Sequence, residues 1–148
     1  ISKCQIKVYE YETGGNKVKL FVITGTCGAG KSTMKDYLSK RLTNELYVPV
    51  DVDEVGLNWW DYAGTENESK YNEDTLRCAT KMAEGKNLIF VSCLNPIDYF
   101  QKIDVPEEIE TTHWIALCPS DDVIEQRLKA RPAERGFTSD EIIRPHIE

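Results

Sequence analysis

The residues best suited to chemistry in this sequence lie in one glycine-rich stretch. Residues 25–32 read Gly-Thr-Cys-Gly-Ala-Gly-Lys-Ser, which fits the P-loop pattern G-x-x-x-x-G-K-S. The glycines allow backbone angles that a side chain would forbid, so several N–H groups can point at one anion. Lys31 would add positive charge beside the terminal phosphates of a nucleotide, and Ser32 would offer its hydroxyl to Mg²⁺. The expected nucleotide-binding residues are Gly25, Thr26, Cys27, Gly28, Ala29, Gly30, Lys31, Ser32 and Thr33.

The flanking sequence supplies the elements that such a loop needs. An apolar run at residues 20–23 comes directly before it, and an amphipathic run with Met34, Leu38 and Leu42 follows it. The pattern therefore predicts a buried strand, a loop and the start of a helix, which is the context that supports a P-loop. The helix would contribute its unpaired first-turn N–H groups and the positive end of its dipole. A glycine-rich turn that binds nothing is the less favoured alternative.

A pair of carboxylates comes after the next predicted strand. Asp51 and Asp53 follow the apolar residues 46–50. Ligands bind at the carboxyl ends of the strands in an open parallel sheet, so this pair would face the same crevice as the P-loop. One carboxylate could hold Mg²⁺ through water, while the other could take a proton from an acceptor hydroxyl. A polar turn with two exposed aspartates stays open as the simpler interpretation.

Three arginines spaced by four residues form a third candidate group. Arg127, Arg131 and Arg135 would align along one helix face, although Pro132 interrupts the pattern. An arginine segment closing over a nucleotide would neutralise charge on the phosphoryl group in transfer. A solvated basic face is the alternative.

Strand-like and helix-like segments alternate along the chain. The order predicts an α/β fold, a parallel sheet with helices on both faces, preceded by an extra N-terminal strand. That strand and turn, residues 1–16, would form a hairpin with the P-loop strand, pair at an edge of the sheet, or project from the domain. Strands are predicted at residues 4–11, 18–24, 46–50, 88–94 and 112–118, and helices at residues 31–42, 72–84, 97–102, from 121 and from 138.

Composition limits the class of protein. A chain of 148 residues suits a single domain, here taken as residues 1–148. The net charge of −7 argues against a nucleic-acid or anionic-membrane partner, and no stretch approaches the roughly 18 apolar residues of a membrane span. Five cysteines without a C-x-x-C pair favour a reducing cytoplasm over a disulfide scaffold or zinc site. Cys93 and Cys118 lie in apolar runs, where cysteine is expected to be a small buried hydrophobe.

With these motifs the chain resembles the small P-loop kinases, which include gluconate, shikimate, nucleoside and nucleotide kinases. The resemblance implies ATP and Mg²⁺ as cofactors and strand order 2-3-1-4-5 counted from the P-loop strand. The chain would end before the fifth strand and the adenine-side loop, as a truncated C-terminus. Asp53 resembles the catalytic base and Asp51 the magnesium-side carboxylate. Arg127 and Arg131 look like the nucleotide and lid arginines, within a lid-like region at residues 119–138.

An aromatic cluster after the carboxylate pair indicates which class of molecule would accept the phosphoryl group. Trp59, Trp60 and Tyr62 would line a pocket beside Asp53, where bases and rings stack on aromatics. We therefore expect phosphoryl transfer to a nucleoside or nucleotide, with a sugar acid or other polyol as the alternative. Residues 54–76 contain no arginine, which favours a neutral acceptor over a monophosphate.

Three other functions compete with a small-molecule kinase. A GTPase switch has two D-x-x-G matches, beginning at Asp53 and Asp61, but no N-K-x-D guanine motif. A nucleotide-binding module or ATPase without kinase activity is a stronger alternative. The function of such a module or ATPase would not be lost on the substitution Asp53→Asn. An interaction domain that uses the aromatic cluster as its binding patch is the third.

Overall fold

A computed structural model of the chain describes residues 8–12, 18–42, 46–131 and 144. Five strands and four helices of this part of the chain carry the fold. The strands are β1 (Val8–Glu12), β2 (Val18–Thr24), β3 (Tyr47–Asp51), β4 (Asn87–Val91) and β5 (Ile109–Ala116). The helices are α1 (Lys31–Arg41), α2 (Tyr71–Met82), α3 (Pro96–Gln101) and α4 (Asp121–Lys129). Three short 3₁₀ turns lie between β3 and α2: Val52–Glu54, Trp59–Asp61 and Glu68–Lys70.

The five strands form one sheet in the order β1-β5-β2-β4-β3. Strands β2 to β5 pair in parallel, while β1 pairs antiparallel with β5. Counted from the P-loop strand β2, the parallel strands have the predicted order 2-3-1-4, so the predicted fold is confirmed. Pro49 lies in β3 at an edge of the sheet, which suits a residue without an N–H donor.

The position of the N-terminal strand decides among the three expected placements. Val8 of β1 lies opposite Ile115 of β5, so the edge alternative is correct. The hairpin pairing with the P-loop strand is wrong, because β4 and β5 already occupy both sides of β2. The predicted turn that follows β1 lies outside the described residues, as do Arg135 and the start of the helix predicted from residue 138.

Apolar side chains cover both faces of the sheet. Along β4, Leu88 and Phe90 pack into one cluster, while Ile89 and Val91 pack into the other. Helices α2 and α3 contribute buried residues to the first cluster, and α1 packs against the second. Because the central strands are buried on both faces, they are uninterrupted apolar runs in the sequence. No described helix has both the length and the apolar character needed to cross a membrane.

Candidate functional site

The glycine-rich stretch forms a loop between β2 and α1. Gly28 and Gly30 have φ angles of 83° and 97°, in the left-handed region that favours glycine. Gly30 is the N-cap of α1, and its carbonyl accepts the first helical hydrogen bond, from Met34 N at 3.0 Å. The N–H groups of the three residues between Gly30 and Met34 have no carbonyl partner within the helix. No acidic residue lies in this first turn, so nothing there competes with a bound anion.

Close packing under the loop gives a second reason for its glycines. A Cβ atom on Gly25 would lie 2.8 Å from the Leu117 carbonyl oxygen, and one on Gly28 would lie 3.1 Å from Leu128 Cγ. The loop backbone therefore contacts the end of β5 and helix α4 directly. Sequence reasoning accounted for the backbone angles but had no means of locating this contact.

Lys31 holds its ammonium group over the loop. Its Nζ atom donates to the carbonyl oxygens of Gly25, at 2.7 Å, and Thr26, at 2.8 Å. The charge is thus positioned at the loop by two backbone acceptors. Lys31 lies at the first position of α1, beside the N–H groups that would bind a phosphate.

Asp51 and Asp53 reach the same place from the end of β3, but their environments differ. Ser32 Oγ donates to Asp51 Oδ2 at 2.9 Å, and Asp53 N donates to Asp51 Oδ1 at 3.1 Å. Asp51 is 8% exposed, whereas Asp53 is exposed. One carboxylate is therefore fixed beside the P-loop serine, and the other is open to a molecule entering the crevice.

Glu54 is a supporting residue that sequence reasoning missed. Its Oε2 accepts from Asp51 N at 2.9 Å, and its Oε1 accepts from Lys35 Nζ at 2.5 Å. Burial alone would raise the pKa of Glu54, but the Lys35 ammonium and the Asp51 N–H outweigh it and lower that pKa. Asp51 and Glu54 form a capping box on the first 3₁₀ turn, so their spacing of three was the available signal.

A cavity of about 890 Å³ joins these groups. Its lining includes the loop residues from Cys27 to Thr33, both aspartates, Cys93 at the end of β4, and Arg127 and Arg131 of the α4 region. Arg127 Nη1 donates to the Gly28 carbonyl at 3.2 Å, which ties α4 to the loop. The structure thus brings together the P-loop, the carboxylate pair and two of the three candidate arginines.

The aromatic cluster does not line this cavity, contrary to the expected pocket beside Asp53. Trp60 is 78% exposed, Trp59 borders a separate cavity of about 460 Å³, and Tyr62 borders another of about 530 Å³. The physical reason is local: the cluster lies on short 3₁₀ turns that have no buried residue to anchor them against the sheet.

Tyr71 contacts the aromatic cluster, and sequence reasoning missed it. The rings of Trp59 and Tyr62 both meet the Tyr71 ring edge-on, at centroid distances of 5.2 and 5.3 Å. Burial and then the negative charge of Asp53 raise the pKa of Tyr71. The predicted helix began at residue 72, one residue too late to include this side chain.

The cysteines that end the apolar runs also differ from expectation. Cys93 and Cys118 are exposed, and the prediction that they are buried hydrophobes is wrong. Strand β4 ends at Val91 and β5 ends at Ala116, so each cysteine lies just past the covered part of the sheet.

The donor set of the cavity is compatible with Mg²⁺ and a polyphosphate. Within the described ranges, no group of three or more His, Cys, Asp or Glu residues could hold a metal by itself. Mg²⁺ needs few protein ligands, because it keeps several waters and takes substrate phosphate oxygens. Ser32 and the adjacent Asp51 carboxylate are hard oxygen ligands of the required kind. The arrangement therefore fits a metal that arrives with a nucleotide.

The parallel sheet, the P-loop and the carboxylates beyond it define a P-loop NTPase-like domain. The family model AAA_18, described as an AAA domain, matches residues 22–144. The chain belongs to this AAA domain family. The match runs from the end of β2 through α4, and thus includes every residue that lines the cavity.

Two solved structures of a Pnkp1/Rnl/Hen1 complex, one of them described as an RNA repair complex, each contain a similar chain. The sequence identities are 19% and 15%, and the TM-score is 0.48 in both comparisons. The alignments cover 89% and 86% of this chain but 43% and 44% of those chains, so it spans less than half of their length. No curated protein matches the sequence.

Proposed function

We propose that this domain is an ATP- and Mg²⁺-dependent phosphotransferase that acts on the hydroxyl group of a small acceptor. One observation carries the proposal: the exposed carboxylate of Asp53 borders the cavity that Lys31, Ser32 and Asp51 also line. A domain that only binds a nucleotide has no need for an open carboxylate at this place. ATP with Mg²⁺, when bound, would supply the transferable phosphoryl group.

The loop side of the cavity would bind and orient the phosphates. Lys31 would exchange its hydrogen bonds with the loop carbonyls for phosphate oxygens, and the first-turn N–H groups of α1 would donate to the same anion. Ser32 and Asp51 would hold the metal, since their oxygens already lie 2.9 Å apart. Arg127 and Arg131 would add positive charge from the α4 side of the cavity.

Asp53 would orient the acceptor and receive its proton. Its neighbour Asp51 is buried and accepts two hydrogen bonds, so Asp51 is suited to a fixed position rather than to proton transfer. The exposed Asp53 side chain has room for a hydroxyl within hydrogen-bond distance, which is the first requirement for a general base.

A nucleoside or nucleotide is the first acceptor class we propose. Burial and then the negative charge of Asp53 raise the pKa of Tyr71, whose ring contacts the rings of Trp59 and Tyr62. Bases stack on such surfaces. A sugar acid or polyol acceptor is the alternative within the same reaction class.

A panel of acceptors tests the reaction and the acceptor together. ADP release would be measured with ATP and Mg²⁺ against nucleosides, nucleoside monophosphates, sugar acids and a 5′-hydroxyl oligonucleotide, each with and without the protein. We expect acceptor-dependent release with a nucleoside-type hydroxyl that disappears in Asp53→Asn. Stimulation by a sugar acid alone would identify the alternative acceptor.

A nucleotide-binding or ATP-hydrolysing module is the second candidate, favoured by the AAA domain match. It predicts that ATP with Mg²⁺ raises the melting temperature while no acceptor stimulates ADP release. Activity that is the same in Asp53→Asn and in the unaltered protein would decide for this candidate and against the kinase.

A further inference from the structure

Two cysteines face each other across the nucleotide cavity. Cys27 belongs to the P-loop and Cys93 follows β4, and both line the same cavity. Their elements are neighbours in the sheet: Ile23 of β2 lies opposite Val91 of β4, and Ser92 N donates to the Ile23 carbonyl at 3.1 Å. The Cys27 and Cys93 thiols are also each the largest influence on the pKa of the other. The fold therefore brings to one cavity two thiols that are 66 residues apart in the sequence.

We propose that Cys27 and Cys93 form a reversible disulfide that closes the nucleotide site, with a low-molecular-weight disulfide as the oxidant. The inference rests on the nucleotide site of the proposed function and not on the identity of the acceptor. Neither the cysteine count nor the absence of a C-x-x-C pair in the sequence indicated such a pair, because its contact exists only in the folded sheet.

The exchange proceeds in two balanced steps. The Cys93 thiolate attacks one sulfur of the small disulfide, forms a mixed disulfide and releases one small thiolate. Cys27, once deprotonated, attacks Cys93 Sγ, forms the protein disulfide and expels the second small thiolate. Two protein thiols are oxidised, and one small disulfide is reduced to two thiols.

The surroundings of the pair suit this order of attack. The neighbouring Cys27 thiol lowers the pKa of Cys93; partial desolvation of its sulfur opposes this effect, and the Lys31 ammonium adds to it. The Cys93 thiol and burial raise the pKa of Cys27. Thiolate is the nucleophile in disulfide exchange, so Cys93 is the attacking residue. Cys93 is also the exposed member of the pair, whereas Cys27 is half-buried.

A bond between these sulfurs would deform the phosphate-binding loop. The two sulfurs must approach to about 2.05 Å in a disulfide, so the loop and the end of β4 are drawn together. Cys27 packs against Ile124 and Leu128 of α4, and the next residue, Gly28, accepts the Arg127 hydrogen bond. Moving Cys27 toward β4 therefore displaces the start of the phosphate-binding loop. The same movement disturbs the contacts that join the loop to α4.

The test measures linkage and nucleotide binding separately. The protein would be incubated with glutathione disulfide, then digested without reduction to map disulfides by mass spectrometry. A fluorescent ATP analogue would report binding in the presence of Mg²⁺. We expect a Cys27–Cys93 linkage, at least a tenfold loss of analogue affinity, and recovery of affinity with dithiothreitol.

Two variants make the result specific. Cys93→Ser should show no linkage and the same analogue affinity before and after oxidant, while Cys118→Ser, at an exposed cysteine outside the cavity lining, should respond like the unaltered protein. Thermal unfolding checks that both variants fold.

Three outcomes would overturn the inference: a glutathione adduct on Cys93 without linkage to Cys27, a mapped linkage with unchanged affinity, or full oxidant sensitivity in Cys93→Ser. If the reduced protein failed to bind the analogue at all, the proposed function would fall. The peptide map would still decide independently whether the two thiols link.

Discussion

The two sides of the candidate site are built very differently. On the phosphate side, Lys31, Ser32 and Asp51 are each held by hydrogen bonds within the protein. On the acceptor side, residues 55–70 form two 3₁₀ turns without a buried residue, and Trp60 is 78% exposed. The phosphate side is held by hydrogen bonds between its own groups, while the acceptor side has ring contacts with Tyr71 and leaves Trp60 largely in solvent.

The difference indicates where binding energy and specificity reside. A preorganised anion site loses little freedom when a phosphate chain enters, so its affinity needs few further contacts. Exposed aromatics on short turns can adapt to an acceptor, but ordering them costs conformational entropy. We therefore expect nucleotide binding to depend on the phosphate side alone, and acceptor choice to depend on residues 55–70.

The largest effect is expected from removing the one lysine of the loop. Lys31→Ala deletes the ammonium that lies over the Gly25 and Thr26 carbonyls. The loss of one charged group that stabilises the transition state lowers the rate by about 10²–10³-fold or more. Phosphoryl transfer would be measured with the best acceptor from the panel. Normal activity in a folded Lys31→Ala protein would contradict the proposed role of the phosphate side.

Asp53→Asn is expected to have the next largest effect. It distinguishes the acceptor side, which would affect turnover, from the phosphate side, which would affect nucleotide affinity. A missing general base lowers turnover by about 10²-fold or more, whereas affinity for an ATP analogue should stay within about twofold because Asp51 and Ser32 remain. Steady-state kinetics and analogue titration measure the two quantities. Asp36→Asn, an exposed aspartate of α1, is the control and should leave both unchanged. Equal losses of turnover and nucleotide affinity would mean that Asp53 belongs to the phosphate side.

Two glycines with nearly the same φ angle, one on each side of the site, allow the contributions of the two sides to the free energy of unfolding to be compared. Gly28 has φ 83° and Gly56 has φ 81°, but a Cβ on Gly28 would press on Leu128 at 3.1 Å, whereas one on Gly56 meets nothing within 4 Å. Alanine costs about 1–2 kcal/mol of left-handed strain at either position. At Gly28, overpacking adds about 1 kcal/mol or more to that strain.

Urea unfolding of Gly28→Ala and Gly56→Ala measures this difference directly. Because the strain is common to both variants, the excess loss at Gly28 reports the contact between the loop and α4. Equal losses of unfolding free energy would show that the loop is as loosely held as residues 55–70.

The same contrast explains which features of the fold and the site could be predicted from the sequence alone. The placement of the P-loop followed from local patterns: an apolar run, three glycines and a helix start. The meeting of Ser32 with Asp51 followed from a general property of parallel sheets. Each of these inferences depended on neighbours along the chain or on the shared edge of the sheet.

The missed features all depend on contacts between distant segments or on the path of an irregular one. Cys27 and Cys93 line one cavity only because β4 lies beside β2. Tyr71, the first residue of α2, contacts Trp59 and Tyr62 of a segment whose path is irregular. The aromatic cluster was placed at Asp53 by proximity in sequence. Short 3₁₀ turns have no strong periodic pattern, so the direction of their side chains could not be predicted.

Trp60→Ala tests whether the acceptor side acts only in binding. Since Trp60 is largely exposed, its removal should change the free energy of unfolding by less than about 0.5 kcal/mol. If a base stacks on it, the acceptor KM should rise by about five- to tenfold, as for the loss of about 1 kcal/mol of stacking. Kinetics with saturating ATP measure the effect. An unchanged KM would assign acceptor recognition to other residues, with Tyr71→Leu as the next variant.

The smallest expected effect concerns Glu54, whose carboxylate holds the Asp51 backbone in place. Because the Lys35 ammonium and the Asp51 N–H lower its pKa in the folded protein, Glu54 stabilises the fold above its unfolded pKa. That contribution is lost as the pH falls through the folded value. Glu54→Gln should therefore lower the unfolding free energy at pH 7 by less than about 1 kcal/mol, since the ion pair is partly exposed. Urea unfolding at pH 7 and near pH 3 would measure it; a difference that persisted undiminished in acid would show that geometry, and not charge, anchors the phosphate side.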